Sequence, residues 1–222
     1  PEQGGGERQE TPHHLEVMSS PESRLRVTEI FLSLQGEASR VGLPMVFVRL
    51  TGCPLRCGYC DTDYAFQGGE WLSLGEVVDR VRSHPTRHVT VTGGEPLAQR
   101  ACQDLLGALC DLGMDVSLET SGALDISVVD RRVARIVDVK TPGSGESERN
   151  HWPNLALLTP RDEVKFVLTG EPDYLWARAI MTKYAIPACC PVLFSPAWGS
   201  LEPTRLAEWV LQDNPAWDRE RI

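Results

Sequence analysis

The stretch "TGCPLRCGYCDTDYAF", residues 51–66, places Cys53, Cys57 and Cys60 in a C-x3-C-x2-C spacing. Gly58 and Pro54 mark the segment as a loop, and close-spaced thiols in a loop serve packing poorly. Thiolates bind soft metals, so two chemistries are open. A structural zinc site closes a tetrahedron with four ligands, usually in two pairs, and this triplet is one short. An iron–sulfur cube has four irons, each taking its own thiolate. Three cysteines therefore leave one iron free for a ligand that offers a carboxylate and an amine. The other cysteines, Cys102, Cys110, Cys189 and Cys190, sit beside Leu and Ala or ahead of an apolar strand. They read as core residues, since a free cysteine behaves as a small hydrophobe.

Positioning such a loop needs a scaffold. After a leader strand beginning near residue 26, β-rich runs occur at 45–50, 88–92, 114–119, 135–139, 163–168 and 191–194. Between and after them, helical periodicity is read at 73–83, 98–112, 125–133, 172–185 and 203–212. Ser73 and Glu76 form a Ser-x-x-Glu capping box at the start of the first helix. Strands alternating with crossover helices imply a parallel sheet, and six such units imply a partial (β/α)6, TIM-like barrel. In barrels of this kind chemistry gathers at the C-terminal ends of the strands. Those ends carry Arg49, Thr92 to Glu95 (TGGE), Glu119 to Ser121 (ETS), Asp138 to Lys140 (DVK), and Ser195 with Pro196. The segment 141–150 is expected to be a mobile loop at the same mouth.

Composition limits the partners. The chain has 222 residues and a net charge of -9, with no Lys/Arg run, which argues against nucleic-acid and anionic-membrane surfaces. No apolar run approaches the roughly 18 residues of a membrane span, and no apolar signal core opens the sequence. Seven cysteines, an odd count without disulfide-framework spacing, suit a reducing compartment, so a cytoplasmic protein with a small substrate is expected. Residues 1–24 are expected to be a disordered leader or an over-called start, with Met18 as the alternative first residue, and 25–222 a single domain.

The cysteine triplet, with Tyr59 before its third member, resembles the radical S-adenosylmethionine superfamily, and "TGGEP" (92–96) resembles that superfamily's glycine-glycine-glutamate element. Within it, "SLQGE", Arg49, "CDT", "ETSG", "DVKTPGSGE" and "LFSPAWG" are similar to the 7-carboxy-7-deazaguanine synthase family, over residues 26 to about 212. The resemblance implies a barrel of the radical S-adenosylmethionine type with a [4Fe-4S] cluster, S-adenosylmethionine and Mg2+. It also implies a lyase reaction. The reduced cluster cleaves S-adenosylmethionine to a 5'-deoxyadenosyl radical, which takes hydrogen from C6 of 6-carboxy-5,6,7,8-tetrahydropterin. Ring contraction and loss of ammonia then give 7-carboxy-7-deazaguanine, a step of queuosine and 7-deazapurine biosynthesis.

By that resemblance Cys53, Cys57 and Cys60 ligate the cluster and Thr62 the Mg2+. Leu34, Gln35, Gly36, Arg49 and Thr92 contact the pterin. Tyr59, Cys60, Asp61, Gly94, Glu119, Ser121, Asp138 and Lys140 contact S-adenosylmethionine, with Ser195 and Pro196 as an adenine-side turn. Gly93 and Gly94 are expected to let backbone approach the cofactor's amine. Arg49 could instead be spent on a neighbouring acid, and Glu119, Ser121, Asp138 or Lys140 on ordinary ion pairs. His84, His88 and His151 read as solvated or capping. A flavodoxin or ferredoxin reductant and a homodimer are further expectations. The end, "NPAWDRERI", departs from the family pattern and is expected to affect pterin binding more than cluster or cofactor binding. Two other readings stand: a glycyl-radical-type activating enzyme acting on a polypeptide, and a non-catalytic zinc- or iron-binding module.

Overall fold

The computed structural model describes residues 23–213 together with Glu220 and Arg221. Its sheet has the order β3-β1-β2-β4-β5-β6-β7-β8-β9. The strands are β1 (Arg24–Leu34), β2 (Pro44–Leu50), β3 (Glu70–Ser73), β4 (His88–Gly93), β5 (Asp115–Thr120), β6 (Ala134–Asp138), β7 (Glu163–Leu168), β8 (Val192–Pro196) and β9 (Glu220–Arg221). From β2 through β4 to β9 every pairing is parallel, while β1 lies antiparallel to both β2 and β3. The two ends of the sheet do not pair, so the barrel is partial, with six principal parallel strands as the sequence implies. The helices are α1 (Leu74–Arg82), α2 (Ala101–Asp111), α3 (Glu171–Tyr184), the short α4 (Ile186–Cys189) and α5 (Pro203–Asp213).

Side chains alternate along the strands, which explains the threonines. In β4, Val89 and Val91 are buried in the outer core, while His88, Thr90 and Thr92 point into the barrel. Each inward residue meets a polar partner on β5: His88 Nδ1 lies 3.0 Å from Asp115, Thr90 Oγ1 2.8 Å from Ser117 Oγ, and Thr92 Oγ1 donates to Glu119 at 2.8 Å. The lumen is thus a polar ladder. The apolar core lies outside it, between the strands and helices such as α1, whose Leu74, Val77, Val78 and Val81 form one buried stripe. The capping box is present: Ser73 Oγ accepts from Glu76 N, and Glu76 Oε2 accepts from Ser73 N at 2.7 Å.

Four expectations change. The helix expected at 125–133 is absent. There the Asp125 carboxylate accepts from Ser127 N and the Asp130 carboxylate from Arg132 N, at 2.8 and 2.9 Å, because aspartate side chains offer the backbone turns in place of helix. Segment 141–150 is not a free loop. Thr141 donates to Val167 O, Gly143 N to Asp173, and Lys140 N to Asn150, which donates back to Lys140 O. Ser195 and Pro196 are no turn; they end β8, opposite Val167 and Leu168. Within the expected leader, Ser23 and Arg24 are described and Arg24 already pairs with Ser73. Residues 1–22, and most of the divergent "NPAWDRERI" end, lie outside the described residues. No helix among the described residues is long and apolar enough to cross a membrane.

Candidate active site

The C-terminal ends of the parallel strands and the loop after β2 enclose a cavity of about 570 Å3. Every residue singled out from the sequence lines it: Leu34, Gln35, Gly36, Arg49, Cys53, Cys57, Tyr59, Cys60, Asp61, Thr62, Thr92, Gly94, Glu119, Ser121, Asp138, Lys140, Ser195 and Pro196. Chemistry that is scattered over more than 160 positions of chain is collected by strand order, with Leu34, Gln35 and Gly36 entering from the β1–β2 connection beside the starts of β2, β5 and β7. Of His84, His88 and His151, none lines this wall; His88 is tied to Asp115 deeper in the barrel. Cys102 and Cys190 are buried in the apolar core, with Cys110 and Cys189 packed against it, as expected of core thiols.

The cysteine loop is seated by β4. Gly93 has φ +148, and a Cβ there would lie 2.1 Å from Leu50 O; at Gly94 it would lie 2.3 Å from Gly52 O and 2.8 Å from Cys53 Cβ. The room where a Cβ would stand is filled by the protein's own backbone, while both glycines also line the cavity. Gly94 N donates to Leu50 O at 3.1 Å and Glu95 N to Gly52 O at 2.8 Å. Glu95 is fully buried, and its carboxylate accepts from Leu97 N, Thr120 Oγ1, Ser121 N and Ser121 Oγ. It therefore fastens the β4 exit to the β5 exit, and the Ser121 hydroxyl is spent on that bracing.

The three thiols share this wall without converging. Among the described residues no three His, Cys, Asp or Glu side chains approach closely enough to hold one metal ion. A cube suits a set of this kind, because it takes each thiolate on a different iron. Burial pushes the Cys53 and Cys57 thiols up, and the Lys140 ammonium works against that rise. Lys140 is itself buried, 2.7 Å from Asp138. Burial opposes its charge, but Asp138 and the neighbouring thiols hold it above its ordinary value. A cation fixed near Cys53 and Cys57 offsets the negative charge that a thiolate-bound cluster would bring.

Two buried polar atoms on the cavity wall have no hydrogen-bond partner, Tyr59 Oη and Asp138 Oδ1. Buried polar groups rarely stay unpaired, so both fit a ligand carrying hydroxyl and amine groups, as S-adenosylmethionine does. The cluster and this cofactor therefore suit the residues present.

A second group lines the same cavity. Gln35 Nε2 donates to Glu119 Oε1 at 3.2 Å while Thr92 Oγ1 donates to Glu119 Oε2 at 2.8 Å, so Glu119 is tied to Gln35 and Thr92. Arg49, on the inward face of β2 with Phe47, spends its Nε on Glu29, at 2.7 Å. That same carboxylate oxygen accepts from Tyr64 Oη at 2.9 Å, leaving the outer guanidinium nitrogens toward the cavity. Phe31 and Phe47 stack at 5.1 Å and form an aromatic wall. Sequence reasoning missed Glu29, Glu37, Phe31, Phe47, Lys165 and Trp198. Inward alternation along β1, β2 and β7 flags Glu29, Phe31, Phe47 and Lys165; nothing local flags Trp198.

Residues 47–184 match the family described as the Radical SAM superfamily. The 7-carboxy-7-deazaguanine synthase of Chlorobaculum tepidum is 47% identical, over 87% of this chain and 90% of that protein. That of Thermoplasma acidophilum is 37% identical, over 83% and 88%. The crystal structure of QueE from Escherichia coli superposes with a TM-score of 0.72 at 23% identity, covering 91% of this chain and 98% of that one. SuiB of Streptococcus suis, solved with S-adenosylmethionine bound, shares the fold at a TM-score of 0.52 and 14% identity, over 73% of this chain and 42% of that one. By sequence relationship, fold and cysteine triplet together, the chain belongs to the 7-carboxy-7-deazaguanine synthase family of the radical S-adenosylmethionine superfamily.

Proposed function

We infer that this protein is a carbon–nitrogen lyase that converts 6-carboxy-5,6,7,8-tetrahydropterin to 7-carboxy-7-deazaguanine with loss of ammonia, in queuosine and 7-deazapurine biosynthesis. The observation that carries this reading is a single cavity lined both by the three thiols and by Gln35, Arg49, Thr92 and Glu119. A [4Fe-4S] cluster with S-adenosylmethionine supplies, when bound, the 5'-deoxyadenosyl radical that starts the ring contraction. Organic radical chemistry belongs to the cofactor, and the protein contributes orientation, electrostatics and exclusion of water.

Cys53, Cys57 and Cys60 hold the cluster. Tyr59, Asp61, Gly94, Asp138, Lys140, Ser195 and Pro196 surround the cofactor, with Tyr59 Oη and Asp138 Oδ1 offering the open hydrogen bonds; Ser121 acts through Glu95. Arg49 takes the pterin carboxylate through its outer nitrogens, a geometry that guanidinium groups favour. Glu119, held by Gln35 and Thr92, accepts from the amine-bearing edge of the pterin, and Leu34 and Gly36 close over the ring. Family membership also supports Mg2+ at Thr62, a flavodoxin or ferredoxin reductant, a homodimer and a cytoplasmic location. For the ion, the added support is the Thr62 hydroxyl on the cavity wall beside Asp61; Mg2+ commonly takes few protein ligands and completes its octahedron with substrate oxygens and water.

The test is anaerobic reconstitution with iron and sulfide, reduction, and incubation with S-adenosylmethionine, Mg2+ and the carboxytetrahydropterin. 5'-Deoxyadenosine and 7-carboxy-7-deazaguanine should both form. Appearance of 5'-deoxyadenosine only with a protein partner would point to an activating enzyme instead, and stoichiometric zinc without acid-labile sulfide to a metal-binding module.

A further inference from the structure

The connection between β1 and β2 does more than turn. Its tip crosses the barrel and is fastened to strands far away in sequence. Glu37 pairs with Lys165 on β7, Ser39 N donates to the Glu163 carboxylate at 3.1 and 3.3 Å, and Arg40 reaches Asp115 on β5 at 2.7 Å. The first of these ties reaches the cavity. Lys165 and Glu37 both line it, the lysine side chain nearly buried and the glutamate half exposed. Glu37 N donates to Gln35 Oε1 at 3.2 Å, which leaves the Gln35 amide nitrogen to face Glu119. A continuous chain thus runs from Lys165 through Glu37 and Gln35 to Glu119. Burial opposes the charge of Lys165, but the carboxylates of Asp138, Glu37 and Glu119 outweigh it and keep the ammonium charged.

We propose that Lys165 and Glu37 are positioning residues for the pterin: the pair latches the β1–β2 connection across the lumen and so fixes which way the Gln35 amide faces the substrate. The idea rests on the lyase reading above and adds two residues to it. Without the latch, Gln35 can turn and Glu119 loses a donor that holds it, so pterin affinity falls. Glu37 has no hydrogen bond or ion pair to the cysteine loop or Lys140 among the described residues, whereas Lys165 also faces Asp138.

The experiment compares the reconstituted holoenzyme with Glu37→Gln, Lys165→Met and the double variant. Glu37 is half exposed, so Glu37→Gln should fold normally and keeps the question open to a clear answer even if Lys165→Met does not fold. Calorimetric Kd and steady-state KM for the pterin should each rise about tenfold, the scale of one charge-assisted contact. In Glu37→Gln, the KM for S-adenosylmethionine and slow 5'-deoxyadenosine formation without pterin should stay within about twofold. The double variant should be no worse than the poorer single one, because paired residues acting as a unit are non-additive. An unchanged pterin Kd in Glu37→Gln, a matching loss of cofactor binding, or additive losses in the double variant would each overturn the proposal. If the wild-type holoenzyme makes no deazapurine, the lyase reading fails first and the proposal falls with it.

Discussion

Gly94→Ala is the perturbation that bears most directly on the cysteine loop, since the new methyl group would meet Gly52 and Cys53. The added methyl carbon would sit 2.3 Å from Gly52 O, 2.7 Å from Gly52 C and 2.8 Å from Cys53 Cβ. Two of these are backbone atoms, so no side chain can swing away. Reaching ordinary contact at 3.4 Å requires the loop and the β4 exit to part by about 1.1 Å. Overpacking of this kind costs about 1–3 kcal/mol of stability, and displacing a catalytic group by about 1 Å costs roughly 100-fold in rate. The assay is 5'-deoxyadenosine formation by the reconstituted protein, with iron and sulfide content measured on the same sample. Gly94→Ala should fold but lose about two orders of magnitude in cofactor cleavage. Gly107→Ala, in α2 with nothing within 4 Å of the new methyl group, is the control. It should gain about 0.5–1 kcal/mol of stability with unchanged activity. A Gly94→Ala protein with wild-type rate and iron content would refute the argument that β4 seats the cysteine loop.

Two further outcomes separate pterin binding from cofactor cleavage and test the scaffold. Arg49→Ala should raise the pterin KM by about 10- to 100-fold while slow cofactor cleavage persists, since a bidentate carboxylate contact is lost; equal loss of both activities would count against its role. Asp162, buried beneath Arg135, is opposed by burial, yet the hydrogen bonds from Arg135 and Thr159 outweigh it and hold its carboxyl below the ordinary 3.8. A group with a depressed folded pKa contributes stability above its unfolded value and loses that contribution as pH falls through the folded one. Asp162→Asn should thus cost about 3–5 kcal/mol in urea unfolding at pH 7, with the gap to wild type narrowing as the wild-type carboxyl protonates in acid. A gap independent of pH would contradict this.

The barrel was legible because its strands carry strong signals: β-branched runs of the right length, separated by helix-period segments with a capping box at Ser73. The missing helix at 125–133 shows where such reading fails, since Asp125 and Asp130 supply turns that outcompete a weak helical pattern. The site residues were legible for a topological reason, as the C-terminal ends of parallel strands share one face. Their pairings were not, because alternation assigns a side chain to a face but not to a partner. Glu119 reads equally well as a cofactor or a pterin contact until the hydrogen bonds from Gln35 and Thr92 are seen. The glycines of "TGGEP" suggest close approach of some group, and only the coordinates show that group to be the chain's own Leu50 and Gly52. The tie from Glu37 to Lys165 spans 128 residues and leaves no local trace in the sequence.

The central claim is that the three thiols and the pterin residues serve one cavity. It is tested most directly by running the reconstituted enzyme with pterin deuterated at C6 and analysing 5'-deoxyadenosine by mass spectrometry. The account predicts deuterium in 5'-deoxyadenosine alongside 7-carboxy-7-deazaguanine. Deazapurine formed with only unlabelled 5'-deoxyadenosine, or no deazapurine from a protein that cleaves S-adenosylmethionine normally, would contradict it.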